Sequence, residues 1–364
     1  MLLIAKHFLK KYLFIVLTNL THIAQAQNMK VTSFTTNIQL KTVIDSIKWK
    51  GNPLDEKGLF MNHEFPFYPK FSELWHWQRE TNPQKAFKKK DTFQLALVQN
   101  DTSFLQNKND VIVWLGHATF FIRINGISII TDPVFGNPST FLKRKVAMPF
   151  DPAIIKGLDY ILLSHDHRDH LDEKSIQLIH KNNPNAPILT GLKMEEWLNK
   201  MLNKPKYQTA GWYQQYDTDN TQIKIYFMPA RHWSRRGLTD TNKHLWGSFV
   251  MEANGKRIFF SGDTGYGSHL KEIGELFGKI DACIIGVGAF KPEWFMGANH
   301  ISPKDAVKAV NEMGAQMLIP MHFGTFDLSD EPIGEPQQIL RTENKNGNLK
   351  AKLNVLTVGK SFGF

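Results

Sequence analysis

Residues 160–172 constrain the fold and the chemistry of this chain more than any other stretch of its 364 residues. An apolar run from Tyr160 to Leu163 leads directly into the sequence Ser-His-Asp-His-Arg-Asp-His-Leu-Asp. Such a run, followed by polar residues, predicts a buried strand that ends at a loop. Three imidazoles and three carboxylates within eight residues would repel one another or stay unpaired in a folded core unless divalent cations gather them. The stretch therefore predicts a metal site at the end of a strand.

The spacing of the motif divides its side chains into two groups. If the chain turns sharply after the strand, His165 and His167 point to one side and bind one cation, while Asp169 and His170 reach a second. Zinc accepts both imidazole nitrogen and carboxylate oxygen in near-tetrahedral geometry, so we expect two Zn²⁺ ions. A polar surface loop would explain an isolated His-x-His pair, but it does not explain the whole motif after a buried strand.

Residues suited to metal binding also follow other predicted strands. His232 lies just beyond a strand predicted from Ile223 to Met228, and His322 follows a strand predicted at 316–320. The glycines around Asp263 permit a tight turn with this residue at its apex, and its two oxygens can bridge two cations. Such residues at the ends of several strands indicate one shared site at an edge of a sheet sandwich.

The order of predicted strands and helices favours an α/β architecture. Strands are expected at 111–114, 119–124, 127–130, 188–189, 257–260 and 281–286, and helices at 173–181, 193–202 and 303–313. Asp132 follows the third of these strands and has two open interpretations. It either forms a turn with Pro133 or orients a metal ligand from behind.

The N-terminal part of the chain has a different composition from the rest. Residues 1–26 are typical of a signal peptide, with a lysine-rich start, an apolar stretch and Ala24-Gln25-Ala26 as a cleavage site; an uncleaved anchor is the alternative. Residues 27–105 are expected to be an arm packed on the main domain, and residues 106–364 to be that domain. The aromatic and basic residues of the arm also allow an amphipathic cover that touches lipid.

Charge and cysteine content limit the partners and the compartment. The formal net charge is +10, and removal of the N-terminal segment with its three lysines would leave about +7. This surface favours anionic partners, including phospholipid headgroups. The chain has no zinc-finger spacing or other nucleic-acid module, so no nucleic-acid partner is expected, whereas an oligomer is possible. The single cysteine, Cys283, excludes an intrachain disulfide. Because of its N-terminal signal, the protein is expected to be exported, and to be periplasmic or membrane-associated.

The metal motif and its companions resemble the metallo-β-lactamase superfamily of hydrolases. The resemblance implies an αββα sandwich with the site at one edge. It also implies that His165, His167 and His232 hold one zinc, that Asp169, His170 and His322 hold the other, and that Asp263 bridges the two.

Several further motifs resemble the N-acyl-phosphatidylethanolamine-hydrolysing phospholipase D family within this superfamily. The motifs are Leu115-Gly-His-Ala-Thr-Phe120, Thr131-Asp-Pro-Val-Phe135, Pro229-Ala-Arg-His-Trp-Ser-Arg-Arg236, Leu245-Trp-Gly-Ser248, Gly262-Asp-Thr-Gly-Tyr266, Trp294-Phe-Met296 and His322-Phe-Gly-Thr-Phe326. The resemblance implies hydrolysis of N-acyl-phosphatidylethanolamine-like lipids at a membrane surface to phosphatidic acid and an N-acylethanolamine.

The same resemblance suggests roles for individual residues. Apart from the resemblance, the chemistry of such a site makes Asp169 and Asp263 candidate proton acceptors. His300 is a candidate proton donor to the leaving group, and a residue that only hydrogen-bonds to a metal ligand is the alternative. Arg236, Asn299 and Trp233 fall where substrate contacts are expected, although Asn299 replaces the Gln of the animal enzymes. Asp132 and His300 match residues linked to activity in the family.

Two other classes of function remain open at this point. A lactone, β-lactam or soluble phosphodiester would use the same metals and would need no lipid groove. A non-catalytic zinc-binding protein of the cell envelope would keep the metals and turn over no substrate.

Overall fold

A computed structural model describes residues 30–45, 48–218 and 221–364. The predicted signal peptide lies outside these residues. Within them, three short strands of the arm come first: β1 (Ser33–Thr35), β2 (Lys41–Thr42) and β3 (Asn52–Leu54). Two helices of the arm follow: α1 (Phe71–Arg79) and α2 (Lys85–Lys90). None of the helices in this part of the chain is both long enough and apolar enough to cross a bilayer.

The body of the molecule contains fourteen further strands in the described ranges. They are β4 (Val111–Gly116), β5 (Thr119–Ile124), β6 (Ile127–Thr131), β7 (Tyr160–Leu163), β8 (Ile188–Gly191), β9 (Tyr207–Ala210), β10 (Gln214–Gln215), β11 (Lys224–Met228), β12 (Ser248–Ala253), β13 (Lys256–Phe260), β14 (Ala282–Gly286), β15 (Met317–Met321), β16 (Lys352–Leu353) and β17 (Ser361–Phe362). The helices between them are α3 (Glu173–Asn182), α4 (Glu195–Met201), α5 (Ser268–Phe277), α6 (Glu293–Met296), α7 (Pro303–Met313) and α8 (Glu335–Lys345).

These strands form two large sheets. The first has seven strands in the order β17-β4-β5-β6-β7-β8-β9, and the second has eight in the order β16-β15-β14-β13-β12-β11-β10-β2. Each sheet combines antiparallel pairs with a parallel part, which is β6 to β9 in the first and β13 to β16 in the second. A strand of the arm, β2, completes the second sheet by pairing with β10.

Alternation along the strands decides which residues lie between the sheets. In β4, Trp114 belongs to the core between the two sheets, whereas Val113 faces the other way and packs under the helical layer. Phe120 of β5 meets Phe260 of β13 edge to face across the sandwich, with ring centroids 6.4 Å apart. Ile176 of α3 and Leu198 of α4 cover the outer face of the first sheet.

Helices α5 and α7 lie on the second sheet. Their buried residues, among them Ile273 and Val310, belong to the same apolar cluster as the strands of that sheet. The result is four layers, helix–sheet–sheet–helix. The predicted αββα sandwich is therefore confirmed.

Candidate metal centre

Five strand ends bring the candidate ligands to one edge of the sandwich. The motif 165–170 follows β7, His232 follows β11, Asp263 follows β13 and His322 follows β15 directly. His117, which follows β4, joins them at the same place. His117 and His322 both have positive φ, 53° and 62°, so the chain turns sharply at each and points the ring into the site.

The ligand atoms form two neighbouring groups. His165, His167 and His232 make one group, and its three ligand atoms lie within 4.8 Å of one another. The second group, whose ligand atoms lie equally close, consists of His117, Asp169, His170 and His322.

Asp263 lies between the two groups. Its Oδ2 is 3.9 Å from Nε2 of His232 in the first group. In the second group the same oxygen is 3.3 Å from Nε2 of His170 and 3.1 Å from Nε2 of His322. This position suits a carboxylate shared by two cations. The seven predicted ligands are thus brought together, while their binding of metal stays a prediction.

The donor atoms of this cluster fit divalent cations. Nε2 of His165, His167, His170 and His322 is buried and has no hydrogen-bond partner among the described residues, and the same is true of Oδ1 of Asp263. An unpaired buried polar atom is costly, and a convergent set of five is difficult to explain in a dry core. Coordination of a cation by imidazole nitrogens and carboxylate oxygens would satisfy all five.

The electrostatics of the site also suit cations. Burial lowers the pKa of His165 and His232 well below the usual value, which keeps these rings neutral as a metal ligand requires. Burial raises the pKa of Asp263, but the nearby His170 and His322 lower it more, so its pKa lies well below the usual value. Burial likewise lowers the pKa of His322, but Asp263 and Asp169 raise it to about 9. The two carboxylates therefore create a site that favours positive charge.

Two of the candidate ligands, His170 and His232, are oriented by hydrogen bonds at the ring nitrogen that faces away from the site. Asp132 is fully buried and accepts hydrogen bonds at Oδ2 from Nδ1 of His170, at 2.8 Å, and from the Ser164 hydroxyl, at 2.6 Å. This arrangement directs Nε2 of His170 into the site, as the second interpretation of Asp132 proposed. Nδ1 of His232 similarly donates to the main-chain oxygen of Asn299, at 3.1 Å.

Not every aspartate of the motif reaches the site. Asp172 caps α3, because its Oδ2 accepts from the Ser175 N–H at 2.9 Å. Asp166 accepts from the Arg235 N–H at 2.9 Å and from Nδ1 of His244 at 3.0 Å. These two residues hold the loops of the site in place.

The predicted substrate-binding and proton-transfer residues have different surroundings. Trp233 is half-buried with its ring edge-on to His167, at a centroid distance of 4.6 Å. Asn299 is buried, and its Oδ1 has no partner within the described ranges. Nδ1 of His300 lies 3.7 Å from Oδ2 of Asp263. Nη1 of Arg236 donates to the main-chain oxygens of Asp166 and Leu171, so part of this guanidinium is committed to the protein.

Sequence reasoning missed His117 as a site residue. Its Nε2 lies 3.0 Å from Oδ2 of Asp169, and its side chain is 1% exposed. The strand-end position that identified His232 and His322 applied equally to His117, which directly follows the strand ending at Gly116. That criterion would have found it.

The fold and the site together define a metal-dependent hydrolase of the metallo-β-lactamase type. Residues 128–323 match the family described as the β-lactamase superfamily domain. The chain belongs to the metallo-β-lactamase superfamily.

Two relatives of the chain carry names that state a particular activity. The chain is 32% identical over 244 residues to N-acyl-phosphatidylethanolamine-hydrolyzing phospholipase D 1 of Caenorhabditis elegans, an alignment that covers 64% of this chain and 67% of the relative. It is 34% identical over 261 residues to the mitochondrial protein of that name in Saccharomyces cerevisiae, covering 68% of this chain and 54% of the relative. The chain thus spans about two thirds and about half of these two relatives.

A solved structure confirms the fold. A possible metal-dependent hydrolase from Veillonella parvula superposes with a TM-score of 0.56 at 16% identity, over 70% of this chain and all of that one.

Proposed function

We propose that the protein is a zinc-dependent phosphodiesterase of the phospholipase D type that hydrolyses N-acyl-phosphatidylethanolamine-like lipids. The observation that carries the proposal is the buried two-group ligand cluster in a chain whose two named relatives share this activity in their names. Water would attack phosphorus, and the phosphorus–oxygen bond to the N-acylethanolamine would break. The products would be phosphatidic acid and an N-acylethanolamine, whose alkoxide takes up a proton.

The residues that would hold two zinc ions follow from the two groups. His165, His167 and His232 suit one ion, Asp169, His170 and His322 suit the other, and Asp263 suits a position between them. Two such cations would supply Lewis-acid activation of water and would neutralise charge on the phosphate oxygens.

The protein's own carboxylates and histidines would move the protons. Asp169 and Asp263 both border the space between the groups, so either can accept the proton of the attacking water. His300 lies beside Asp263, shortly after α6, and would hydrogen-bond to the leaving oxygen. Trp233 and Asn299 border the site from the His232 side and would contact the headgroup.

Exposed aromatic side chains on α1 and α6 support a lipid substrate and a bilayer as partner. Trp77 of α1 stacks on Phe295 of α6 with ring centroids 5.2 Å apart, which fixes α1 beside the segment that carries His300. Trp75 of α1 is 50% exposed, and Trp294 of α6 is 46% exposed. Indole rings favour the membrane interface, and the basic residues of the arm suit anionic headgroups. We define the Trp75–Trp294 surface by these two exposed rings.

Export and membrane association are part of this proposal. The residues that suggest export precede residue 30 and lie outside the described ranges. A protein that hydrolyses bilayer lipids outside the cytoplasm would need both the exported state and a surface that meets the membrane.

A second candidate is a soluble ester, lactone or phosphodiester substrate on the same metals. One observation favours an ester or a lactone, which carries no phosphate: Nη1 of Arg236 donates to main-chain oxygens of the motif loop. The Arg236 side chain, which was expected to contact the substrate, is therefore partly engaged in hydrogen bonds to the protein itself. Such a substrate would be turned over in clear solution, without vesicles.

Product analysis by mass spectrometry distinguishes the two candidates. The zinc-loaded protein is incubated with mixed phospholipid vesicles that contain N-acyl-phosphatidylethanolamine. We expect phosphatidic acid and N-acylethanolamine from the wild-type chain and neither from His165→Ala or Asp263→Asn. Asp281→Asn is the matched control. Asp281 accepts a hydrogen bond from the Arg257 N–H at 2.9 Å and is not one of the candidate ligands. An unchanged lipid profile with the wild-type protein would refute the lipid proposal and favour the soluble substrate.

A further inference from the structure

The main chain of His232 is held by a residue of the N-terminal arm. Asn62 is 3% exposed, and its Nδ2 donates to the His232 main-chain oxygen at 2.9 Å. Its Oδ1 accepts from the His232 N–H at 3.0 Å. A carboxamide presents one donor and one acceptor side by side, which matches the N–H and C=O of a single residue.

These two contacts are the hydrogen bonds of the His232 main chain in the described part of the structure. The ring is fixed separately, because Nδ1 donates to the Asn299 oxygen at 3.1 Å and leaves Nε2 for a metal. Position and tautomer of this ligand are therefore set by two different asparagines, one through its side chain and one through its main chain.

The segment around Asn62 is itself anchored on both sides. The neighbouring Phe60 is 1% exposed, and its N–H donates to the Asn242 oxygen at 2.8 Å. Asn242 in turn donates through its N–H to the oxygen of Ser234, two residues beyond His232. On the other side, Glu64 accepts from the Ser268 N–H, at 2.7 Å, where α5 begins five residues after Asp263. The segment 60–64 thus spans from the His232 loop to the helix that follows Asp263.

We propose that Asn62 is a positioning residue of the metal centre, and that the segment 60–64 is an integral part of that centre. Asn62 acts through the main chain of His232 and does not itself bind a cation. The inference rests on metal binding at this site and is independent of the lipid substrate. Ligands oriented by a neighbouring hydrogen bond typically lose about 10- to 100-fold in metal affinity when that neighbour is removed.

Two variants of Asn62 test this inference. Asn62→Ala removes both hydrogen bonds. Asn62→Asp keeps the size and the acceptor for the His232 N–H, but it places a second oxygen against the His232 oxygen. Asn183→Ala is the matched control, because Asn183 is 5% exposed and binds main-chain groups such as the Leu158 N–H, at 3.0 Å, without contact to a candidate ligand.

The readout is zinc affinity, measured by competition with a chromophoric chelator, together with the visible absorption of the cobalt-loaded protein. We expect one of the two ions to bind about 10- to 100-fold more weakly in Asn62→Ala, with a changed cobalt spectrum. Asn62→Asp should lose affinity in the same direction and serves in its place if Asn62→Ala does not fold. Asn183→Ala should bind zinc as the wild type does.

Two results would overturn the inference. One is wild-type zinc affinity and an unchanged cobalt spectrum in both Asn62 variants. The other is an equal loss in Asn183→Ala, which would show that affinity follows general stability. Because no lipid is used, failure of lipid hydrolysis leaves the inference intact, whereas a wild-type chain that binds no zinc would refute it along with the zinc-dependent proposal.

Discussion

His117 contacts one oxygen of Asp169, and the main chain of His117 makes three hydrogen bonds. Its N–H donates to the Thr325 hydroxyl at 2.7 Å, and its oxygen accepts from Nε1 of Trp114 at 2.9 Å and from the His322 N–H at 3.3 Å. Burial, reinforced by the nearby His322, lowers its pKa to about 3. The ring is thus neutral, and an N–H at Nε2 would donate to Oδ2 of Asp169. The same oxygen lies 3.8 Å from Nε2 of His170 and 3.6 Å from Nε2 of His322, so this hydrogen bond would orient the carboxylate within the second group.

Replacing His117 by Phe should weaken metal binding and keep the fold. The somewhat larger benzene ring keeps an aromatic contact with His322, whose ring centroid is 4.0 Å away, but it removes the donor to Asp169. We expect a fall of about 10- to 100-fold in zinc affinity, measured by chelator competition. His180→Phe, in α3 with a bond to the Asn203 oxygen, serves as control and should bind zinc normally. Wild-type affinity in His117→Phe would show that Asp169 needs no support.

Glu272 gives a pH dependence that does not involve a candidate metal ligand. Its carboxylate interacts with Nε2 of His63 at 3.3 Å and accepts from the Tyr213 hydroxyl at 2.6 Å and the Ser268 hydroxyl at 2.8 Å. These contacts, that of His63 first, lower the pKa of Glu272 from 4.5 to about 2. Since the folded-state pKa is depressed, the stabilisation is fully present above pH 4.5 and is lost as the pH falls toward 2.

Glu272→Gln should therefore be less stable than the wild type at pH 7, and the difference should shrink at pH 3.5. Because the side chain is 38% exposed, solvent screening limits the effect at pH 7 to about 1 kcal/mol. Urea denaturation of both metal-free proteins at the two pH values measures the difference. An equal difference at both pH values would contradict the assignment to this carboxylate.

At the scale of elements, the arm supplies the N-terminal cap of α5. The N-cap residue, Gly267, has no side chain, and the first turn of the helix contains no acidic residue. Oε2 of Glu64 accepts a hydrogen bond from the Ser268 N–H. It thereby caps a free N–H of the first turn and places a negative charge at the positive end of the helix dipole. A Cβ at Gly267 would lie 2.5 Å from this oxygen, so the glycine makes room for the cap.

Glu64→Ala should lower the free energy of unfolding by about 1 kcal/mol, the usual cost of losing an N-cap. Glu64→Gln should lose less, since an amide oxygen can still accept from Ser268. Urea denaturation at pH 7 compares the three proteins. If Glu64→Ala is as stable as the wild type, the cap contributes nothing and α5 is held by packing alone.

The sequence predicted elements where local pattern decides structure. β5, with its predicted bounds Thr119–Ile124, and α7, with its bounds Pro303–Met313, are confirmed because apolar runs and periodic buried positions mark them. α5 was not predicted, since Gly274 in its middle disfavours a helix. That glycine is needed because a Cβ there would lie 2.5 Å from the Met313 oxygen, where α5 meets α7. β2 was missed because its two residues pair with β10, far along the chain.

At the scale of the whole molecule, the candidate site too could be predicted from the sequence only in part. The convergence of the seven candidate ligands could be predicted, because each follows a strand recognisable from its own sequence and because the motifs resemble those of a known family. Asn62 could not, because it lies 170 positions from His232 and no local pattern marks it. Only the assembled fold brings the two together.

The Trp75–Trp294 surface leads to a prediction about whole-protein binding to vesicles. The guanidinium carbon of Arg79 lies 3.2 Å from the centroid of the Trp75 ring, and Nε1 of Trp294 donates to Glu80 at 3.1 Å, so both rings are held outward in fixed positions. Substituting Ser for both tryptophans should reduce sedimentation with anionic phospholipid vesicles at low salt. Increasing the salt should reduce binding of the wild type, because screening weakens the attraction of the basic chain.

The matched control and a second substrate decide what the surface does. Ile38 is 93% exposed, and the neighbouring Asn37 bonds to the Thr209 oxygen of β9, so Ile38→Ser changes an exposed apolar residue outside the Trp75–Trp294 surface. It should leave vesicle binding intact. The double tryptophan variant should lose turnover of vesicle lipids but keep turnover of a short-chain, water-soluble phosphodiester, because the metal ligands are unchanged. Equal loss on both substrates would mean that the tryptophans support the site itself and do not dock the protein on a membrane.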